Sequence, residues 1–448
     1  MLQLSRNVST GMKAEKGSHV SKKICASKFS VETVSFVLLS IVLVLRYPVH
    51  FILWPPYLMD FEVYRAAAER LLHGQGAHLY DPTTASGMMV FKYAPAWALF
   101  FISLGWLSKP AAAVLWTALN IAALLATLVL STRLCRRHGI GYYPLTAVLA
   151  VLILVRPLAE EMGNGQANLL WGCLTVASVY AATVQRPWCS AAAIAAAILL
   201  KLPALIFLLY LFLRRQWAAI GRILVLLIGA TMVASVLVAP MAPWHLLRSW
   251  VSALAHSGTT YTFTIGNQSF LALLGRFLTE GGYRLNLLNL SHSTIAWLNG
   301  IVGLIIVLRV GWPTPETPRR PERFVYDSAL LMVVMVIFSP SCWLATYTAL
   351  LFPVFLGCAG LRQMLTEHQW EPVTLILSGL VVLLSLFTNH RIWRFLNISS
   401  WHGETYLFLV FMVLPWLGLA LIGLLWRQRQ AHAQLAASRA SSAGTSGN

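Results

Sequence analysis

Long apolar runs separated by short polar segments dominate the chain from about residue 31 to residue 426. A transmembrane α-helix needs about 20 apolar residues, and most of these runs approach or exceed that length. Twelve runs are found, at 31–54, 111–131, 142–157, 168–184, 189–200, 203–213, 223–240, 293–310, 325–340, 343–360, 373–388 and 405–426. The pattern predicts an all-α polytopic integral membrane protein with about 12 transmembrane helices.

The basic residues cluster at the ends of these runs. The chain carries 33 Lys+Arg against 15 Asp+Glu, a net charge of +18, although only 11% of its residues are charged. Soluble proteins have about 25% charged residues, so a soluble enzyme is excluded. If the run at 93–107 stays at the outer interface without crossing, every basic cluster falls on the cytoplasmic side, as membrane topology favours. The positive charge therefore indicates orientation in a cell membrane, and no nucleic-acid partner.

This orientation places both termini in the cytoplasm and divides the chain into three parts. Residues 1–30 are predicted to be a disordered basic tail, residues 31–426 the multi-span membrane domain, and residues 427–448 a second disordered tail. The sequence does not define an oligomeric state.

Two long outer loops, at 55–92 and 241–292, follow from the same topology. Eight of the fifteen acidic residues lie on the outer side in this topology. In the first loop, apolar residues at helical spacing from Val63 to Leu72 predict an amphipathic helix on the outer surface.

The cysteines and histidines show no metal-binding pattern. The six cysteines are scattered without CxxC spacing, and no HExxH spacing occurs among the 12 histidines. The sequence therefore predicts neither a metal site nor a disulfide framework.

Asp60 is the first candidate functional residue, because it lies where the first span leaves the membrane. An acid beside hydrocarbon is costly unless it has a partner or a task. It is either a functional acid or an interfacial residue that caps the following helix.

The segment 160–168 contains two acids and three amides around two glycines at the outer end of a span. Amide side chains can both donate to and accept from sugar hydroxyls, although the same residues also fit an ordinary turn.

Lys201-Leu202-Pro203 interrupts another apolar stretch. There, two half-length helices could present an ammonium to a polar cavity, or one span could kink at Pro203 while Lys201 reaches the surface.

Two outer segments remain, Asn267-Gln268-Ser269 and Ser339-Pro340-Ser341-Cys342-Trp343. The first also fits the spacing of an N-glycosylation site, and the second is typical of a turn.

Taken in order, these segments resemble glycosyltransferase family 87, which includes polyprenyl-phosphate-mannose-dependent mannosyltransferases. The resemblance covers about residues 57 to 350. It rests on Asp60-x-x-x-Tyr64, Leu72-x-Gly74, Leu79-Tyr80-Asp81-Pro82, Phe91-x-Tyr93-x-Pro95, Leu115-Trp116-x-x-Leu119-Asn120, Gly165-Gln166-x-Asn168, Lys201-Leu202-Pro203, Asn267-Gln268-Ser269 and Ser339-Pro340-x-x-Trp343.

The resemblance implies a C-type glycosyltransferase architecture with an active site on the outer face. Asp60 would be the general base in an inverting transfer of a hexose, mannose first, from a polyprenyl-phosphate sugar to a lipid or glycan acceptor. The donor phosphate would bind to Lys201 as the first choice and to Arg46 as the second. Tyr64 and Tyr93 would also contact the donor. The sugar and acceptor would meet Glu161, Gln166, Asn168, Asn267, Gln268, Ser339 and Trp343. The lipid donor is a co-substrate; a monophosphate donor requires no bridging metal, so no cofactor is expected.

The sequence departs from the family pattern in two places. Tyr93-Ala94-Pro95 stands where the family usually has Tyr-Pro-Pro, and Trp343 is followed by Leu344-Ala345-Thr346-Tyr347 where paired histidines are common. Thr346, Tyr347 or an outer-loop histidine could substitute, the substrates could differ, or activity could be reduced. A catalytically silent prenyl-lipid-binding relative and a lipid-linked sugar transporter are therefore the alternatives.

Overall fold

The computed structural model describes residues 58–82, 89–141, 144–261, 264, 266–280, 286–312, 321–367, 371–388 and 413–432, with single residues between 34 and 49. The predicted tail at 1–30 and most of the predicted first span lie outside these residues. Throughout the described part the chain is helical, which confirms the all-α prediction.

Sixteen helices are numbered in chain order, beginning after residue 58. They are α1 (Met59–Leu72), α2 (Pro95–Gly105), α3 (Lys109–Arg137), α4 (Pro144–Ile153), α5 (Val155–Asn164), α6 (Asn168–Thr183), α7 (Pro187–Leu200), α8 (Ile206–Leu213), α9 (Trp217–Val238), α10 (Pro243–Tyr261), α11 (Phe270–Leu278), α12 (His292–Gly311), α13 (Pro321–Ile337), α14 (Leu351–Thr366), α15 (Pro372–Phe387) and α16 (413–432).

Four helical segments among the described residues are long and apolar enough to cross a bilayer: α3, α9, α12 and Leu344–Thr366, which joins a 3₁₀ turn to α14. Helix α9 leaves Val225, Ile228 and Val233 about 60% exposed, which suits contact with lipid and not with water. The chain is therefore an integral membrane protein.

The run at 93–107 contains only the 11-residue helix α2. At 1.5 Å per residue this helix is about 16 Å long, roughly half the hydrocarbon thickness of a bilayer. It packs against α1, the predicted helix of the first outer loop, and buries Trp97 and Phe101. By its length, α2 does not cross the membrane by itself.

The core lies where α6 and α7 form an antiparallel hairpin, packed on α3, α9 and the Leu344–Leu350 turn. Trp116 and Trp171 are among its largest fully buried side chains. The amino-terminal end of α6 and the carboxyl-terminal end of α7 come together at one end of this hairpin, and α5 lies against the same turn. That end holds the candidate site.

The last described helix continues to residue 432, beyond the boundary at 426 where the second tail was predicted to start. Its final turns are held by one partly exposed ion pair and one buried hydrogen bond. Arg427 pairs with Glu371 at 2.9 Å, and Gln428 Nε2 donates to Gly357 O at 2.7 Å. Residues 427–432 are therefore part of the folded domain, and residues 433–448 lie outside the described part.

Candidate active site

A continuous chain of hydrogen bonds joins Asp60 to Lys201. Gln166 Nε2 donates to Asp60 Oδ2 at 2.8 Å, and Asn168 Nδ2 donates to Gln166 Oε1 at 2.6 Å. Lys201 Nζ donates to Asn168 Oδ1. An acid, two amides and an ammonium that are distant in sequence thus meet in one site.

Asp60 is the second residue of α1 and does not cap it. The N-cap position is Leu58, and no side chain makes a cap hydrogen bond there. The capping alternative for Asp60 is therefore wrong, and its carboxylate is directed instead to Gln166.

Gly165 allows the turn that carries Gln166 to approach α1. Its φ is +66°, in the left-handed region, and a Cβ on it would lie 2.8 Å from the Cβ of Phe61. Trp116 Nε1 donates to Gly165 O at 2.8 Å and holds the turn from the other side. Only glycine fits here without moving α1, because any side chain would both clash and strain the backbone.

Glu161 anchors this turn and is not open to a sugar. It is completely buried, and its Oε1 accepts from the backbone N–H groups of Asn168 and Leu169 at 2.6 and 3.0 Å. Its Oε2 accepts from Asn168 Nδ2 at 2.7 Å. Burial raises the pKa of Glu161 to about 7, against the opposing effects of these donors and of Lys201. The structure therefore gives Glu161 the task of holding Asn168 at the start of α6.

The direction of every hydrogen bond in this chain follows from its charged members. A carboxylate only accepts and an ammonium only donates. Asn168 must therefore turn its NH₂ group toward Glu161 and its oxygen toward Lys201. The same orientation lets Asn168 donate to Gln166 Oε1, which leaves the Gln166 NH₂ group facing Asp60. The amide pair thus presents a donor to Asp60, and this favours the ionised base.

Lys201 lies at a helix break, which confirms the break that the first of the two sequence alternatives predicted. Helix α7 ends at Leu200, Lys201 has extended backbone angles (φ −147°, ψ 119°), and a 3₁₀ turn at Leu202–Leu205 precedes α8. Its Nζ lies 5.8 Å from the ring centroid of Trp171 and binds Asn168. The ammonium therefore points into the protein and not to the surface.

Lys92 is a second cation of the site that the sequence pattern did not single out. Burial lowers its pKa to about 8, Asp60 opposes this effect, and Lys201 adds to it. Burial likewise raises the pKa of Asp60 above its usual range, against the Gln166 hydrogen bond and the charges of Lys201 and Lys92. The available signal was the position of Lys92 between Phe91 and Tyr93, in the aromatic segment of the outer loop that carries part of the family resemblance.

Tyr64 and Tyr93 form an aromatic wall beside Asp60. Their hydroxyl groups are 2.8 Å apart, and the Tyr64 ring stacks on Phe101 with centroids 4.7 Å apart. Tyr80 OH donates to Tyr93 O at 2.9 Å. Tyr64 is buried, whereas Tyr93 is half-buried, so Tyr93 is the more accessible of the pair.

Asn267 joins its own outer segment to the turn after α13. Its Oδ1 accepts from Ser269 N and Cys342 N, both at 3.0 Å, and its Nδ2 donates to Pro340 O at 2.7 Å. Asn267 is fully buried, so its environment does not suit N-glycosylation. Its side chain holds two segments together.

Gln268 lies in the same junction. Its N–H donates to Cys342 O at 2.5 Å, and its carbonyl accepts from Tyr347 OH at 2.9 Å. Its side-chain Oε1 is buried, and among the described residues it has no hydrogen-bond partner. Of the outer-segment amides, Gln268 is therefore the one with unused hydrogen-bonding capacity.

The turn that departs from the family pattern lies close to the site. Cys342 is buried, and its backbone N–H and carbonyl bind Asn267 and Gln268. Thr346 Oγ1 accepts from Trp343 N at 3.0 Å, while the Tyr347 hydroxyl is bound to Gln268. Thr346 and Tyr347 thus serve the turn itself.

Three candidate residues remain, Ser339, Trp343 and Arg46. Ser339 Oγ donates to Ser341 O at 3.0 Å, and a Cβ on Gly266 would lie 2.2 Å from the Trp343 ring, so both residues shape the junction. Arg46 is exposed, in contrast to Lys201.

The fold and the site define a helical membrane protein whose polar centre pairs an acid with a buried cation. A model of glycosyltransferase family 87 matches residues 91–340, which are 250 of the 448 residues. The chain belongs to glycosyltransferase family 87.

Two mycobacterial relatives carry the same name, polyprenol-phosphate-mannose-dependent alpha-(1-2)-phosphatidylinositol mannoside mannosyltransferase. The protein from Mycobacterium tuberculosis is 28% identical over 58% of this chain and 63% of its own length. The protein from Mycolicibacterium smegmatis is 28% identical over 49% of this chain and 52% of its own length. The chain thus matches between half and two thirds of these relatives.

A solved structure, ArnT from Cupriavidus metallidurans bound to undecaprenyl phosphate, aligns with 89% of this chain and 78% of its own chain. The sequence identity is 13% and the TM-score 0.41. This likeness is too distant to transfer the role of any residue.

Proposed function

We propose that the protein is a membrane glycosyltransferase that transfers a hexose from a polyprenyl-phosphate sugar to a lipid or glycan acceptor. The proposed hexose is mannose. The observation that carries the proposal is the hydrogen-bond chain from Asp60 through Gln166 and Asn168 to Lys201. It provides a base and a cation in one partly buried site, and such a pair is what transfer to a hydroxyl from a phosphate leaving group requires.

In the proposed reaction Asp60 takes the proton of the acceptor hydroxyl. The acceptor oxygen then forms a bond to the anomeric carbon of the sugar, and the bond from that carbon to the donor phosphate oxygen breaks. The electron pair of this bond leaves with the polyprenyl phosphate. Because the two oxygens lie on opposite sides of the carbon, its configuration inverts.

The leaving phosphate needs positive charge in a site with little water, where electrostatic interactions are stronger than in bulk solvent. Lys201 and Lys92 supply it. The hydrogen bond to Asn168 uses one of the three donors of the Lys201 ammonium. Tyr93 and Gln268 supply neutral hydrogen-bonding groups, and Arg46 remains a candidate for the phosphate when the donor is bound.

We further propose a C-type architecture of about 12 spans, with the site on the outer face of the cell membrane and both termini in the cytoplasm. The basic residues that end the apolar runs support this orientation. Grooves between the spans would hold the prenyl tail.

The test is transfer by the purified protein in lipid, with polyprenyl-phosphate mannose, glucose and arabinose offered separately. We expect Asp60→Asn to reduce transfer about 10²- to 10⁴-fold, because it removes the base. The control is Glu69→Gln, which changes an exposed acid of the same helix that pairs with Arg65. We expect activity to persist in excess chelator, since no step is assigned to a metal.

Transfer that survives in Asp60→Asn would refute the proposed mechanism. Binding of the prenyl donor without turnover by the wild-type protein would favour the silent relative. Movement of the intact donor across vesicles without transfer would favour a transporter.

A further inference from the structure

Lys92, the second cation of the candidate site, lies in a non-helical segment just before α2. The backbone of such a segment makes no repeating hydrogen bonds of its own, so contacts with other elements must fix its position. Three consecutive residues, Lys92, Tyr93 and Ala94, each make a backbone contact of this kind. The position of Lys92 therefore depends on tertiary hydrogen bonds.

Trp250 of α10 supplies the contact to Lys92. Its indole Nε1 donates to Lys92 O at 3.0 Å, across 158 residues of sequence. Trp250 is half-buried and packs against the hydrophobic core, and α10 contacts α9 and the 3₁₀ turn at Gly76–His78. An indole N–H can only donate, so it binds best where a carbonyl is held in front of it. The loop at 241–292 thus contacts the loop at 55–92 at the residue that carries the second cation.

Two further hydrogen bonds fix the same segment from other sides. Tyr80 OH donates to Tyr93 O at 2.9 Å. Ala94 N donates to Leu199 O at 3.1 Å, two residues before the helix break at Lys201. These bonds hold the segment close to the break, and the bond from α10 adds a third attachment.

The charge of Lys92 acts on the other charged members of the candidate site. Burial lowers the pKa of Lys92 to about 8, while Asp60 favours its charged form and Lys201 opposes it. In return, Lys92 favours the ionised form of Asp60. Because burial is the largest of the effects on Lys92, its pKa would rise if its side chain moved into water.

We propose that Trp250 is a positioning residue, which holds Lys92 beside Asp60 so that the ammonium can bind the phosphate of the lipid donor. The inference rests on the proposed function, because the phosphate role of Lys92 is taken from there. Trp250 acts through the backbone of Lys92 and has no assigned contact with the substrate. Helix α10 thereby belongs to the frame of the active site.

The experiment measures the titration of Lys92 in the full chain, purified in detergent. Lysines are labelled competitively with acetic anhydride from pH 6 to 10.5, and labelling at each lysine is read by mass spectrometry of peptides. Only the neutral amine reacts, so the midpoint of labelling reports the pKa of each lysine. Lys109, whose side chain is 46% exposed, is the reference within the same protein.

The variants separate the hydrogen bond from the packing of the ring. Trp250→Phe removes the N–H donor and keeps an aromatic ring. Trp250→His restores a donor, because Nε2 of an imidazole can occupy the place of the indole Nε1. The matched control is Trp244→Phe, which removes an indole from the same helix where it is 67% exposed.

We expect the Lys92 midpoint near pH 8 in the wild type and about one unit higher or more in Trp250→Phe. Trp250→His should lie closer to the wild type, and Trp244→Phe and the Lys109 midpoint should not change. A Lys92 midpoint that is the same in Trp250→Phe and the wild type would overturn the inference. If Trp250→Phe does not fold, as its melting temperature will show, a midpoint raised by one unit in Trp250→His would also overturn it.

Sugar transfer at pH 7 separates this inference from the proposed function. Lys92 is charged at this pH in each protein, and Trp250→Phe should lower kcat/KM about tenfold or more, because the cation is displaced from the leaving phosphate. If the wild type transfers no sugar, the proposed function fails, whereas the labelling midpoints still decide whether Trp250 holds Lys92. If the midpoint moves in Trp250→Phe but transfer does not change, Lys92 does not serve the phosphate and the inference is overturned.

Discussion

The hydrogen bond from Gln166 to Asp60 offers a sharp test of the proposed base. In Gln166→Leu the side chain keeps nearly the same volume but loses the Nε2 donor that lies 2.8 Å from Asp60 Oδ2. Asn168 Nδ2 keeps its hydrogen bond to Glu161, so the rest of the network retains its support. The change therefore acts mainly on the ionised form of Asp60.

The expected effect follows in sign and size from this contact. Burial already raises the pKa of Asp60, and the Gln166 donor is the first influence that opposes it. A hydrogen bond to a charged group contributes about 1.5–3 kcal/mol, and 1.36 kcal/mol corresponds to one pH unit. Without the donor the carboxylate is harder to ionise. The acidic limb of the pH–rate profile should move to higher pH by about one to two units.

The assay is kcat/KM for sugar transfer measured from pH 5 to 9, with lipid and donor concentrations held constant. Activity should rise with pH, because the base must be deprotonated, and Gln166→Leu should recover toward the wild-type plateau at high pH. Asn164→Leu is the matched control. It lies in the same segment but donates to Glu160 at 3.2 Å. A lowered plateau with an unmoved acidic limb would contradict the reasoning, since Gln166 would then act by touching the substrate.

Three further predictions concern the frame of the site. Lys201→Met should lower kcat/KM by about 10²-fold or more, because it removes a hydrogen-bond donor that stabilises the transition state. A kcat/KM within tenfold of the wild type would show that Lys201 does not bind the leaving phosphate. Glu161→Gln should cost about 1–3 kcal/mol of stability, seen as a lower melting temperature, because its NH₂ group must face a donor or leave one unsatisfied; an unchanged melting temperature would contradict its anchoring role. Gly165→Ala should lower the free energy of unfolding by about 1–2 kcal/mol or more. Gly163→Ala is the control: no atom lies within 4 Å of the added Cβ, so it should change the free energy of unfolding by no more than about 0.5 kcal/mol. Equal effects would refute the close approach of Gly165 to Phe61.

The candidate residues of the hydrogen-bond chain could be selected from the sequence because each breaks an apolar pattern. Asp60, the 160–168 segment and Lys201 are polar groups beside or within hydrocarbon, where they are costly. This criterion did not select Lys92, because a lysine in a long outer loop is expected to be in contact with water. It also could not separate Gln166, which contacts Asp60, from Glu161, which serves the turn.

The periodicity of apolar residues could not define every helix boundary. It located the break at Lys201 only as one of two alternatives, because Pro203 is compatible with both a kink and a break. It placed the end of the last helix at residue 426, where the apolar run stops. The helix continues to 432 because Glu371 and Gly357, which are distant in sequence, supply partners for its polar residues.

The sequence by itself determined that the chain is an all-helical membrane protein, which residues interrupt its apolar runs, and which family they resemble. These properties depend on composition and local spacing, which burial in a bilayer constrains directly. Only the tertiary structure decided that Asp60 and Lys201 share one hydrogen-bond chain and that Trp250 binds the backbone of Lys92. Hydrogen bonds and charge pairs act over a few ångströms and have a direction, so they are set by the packing of helices and not by the order of residues.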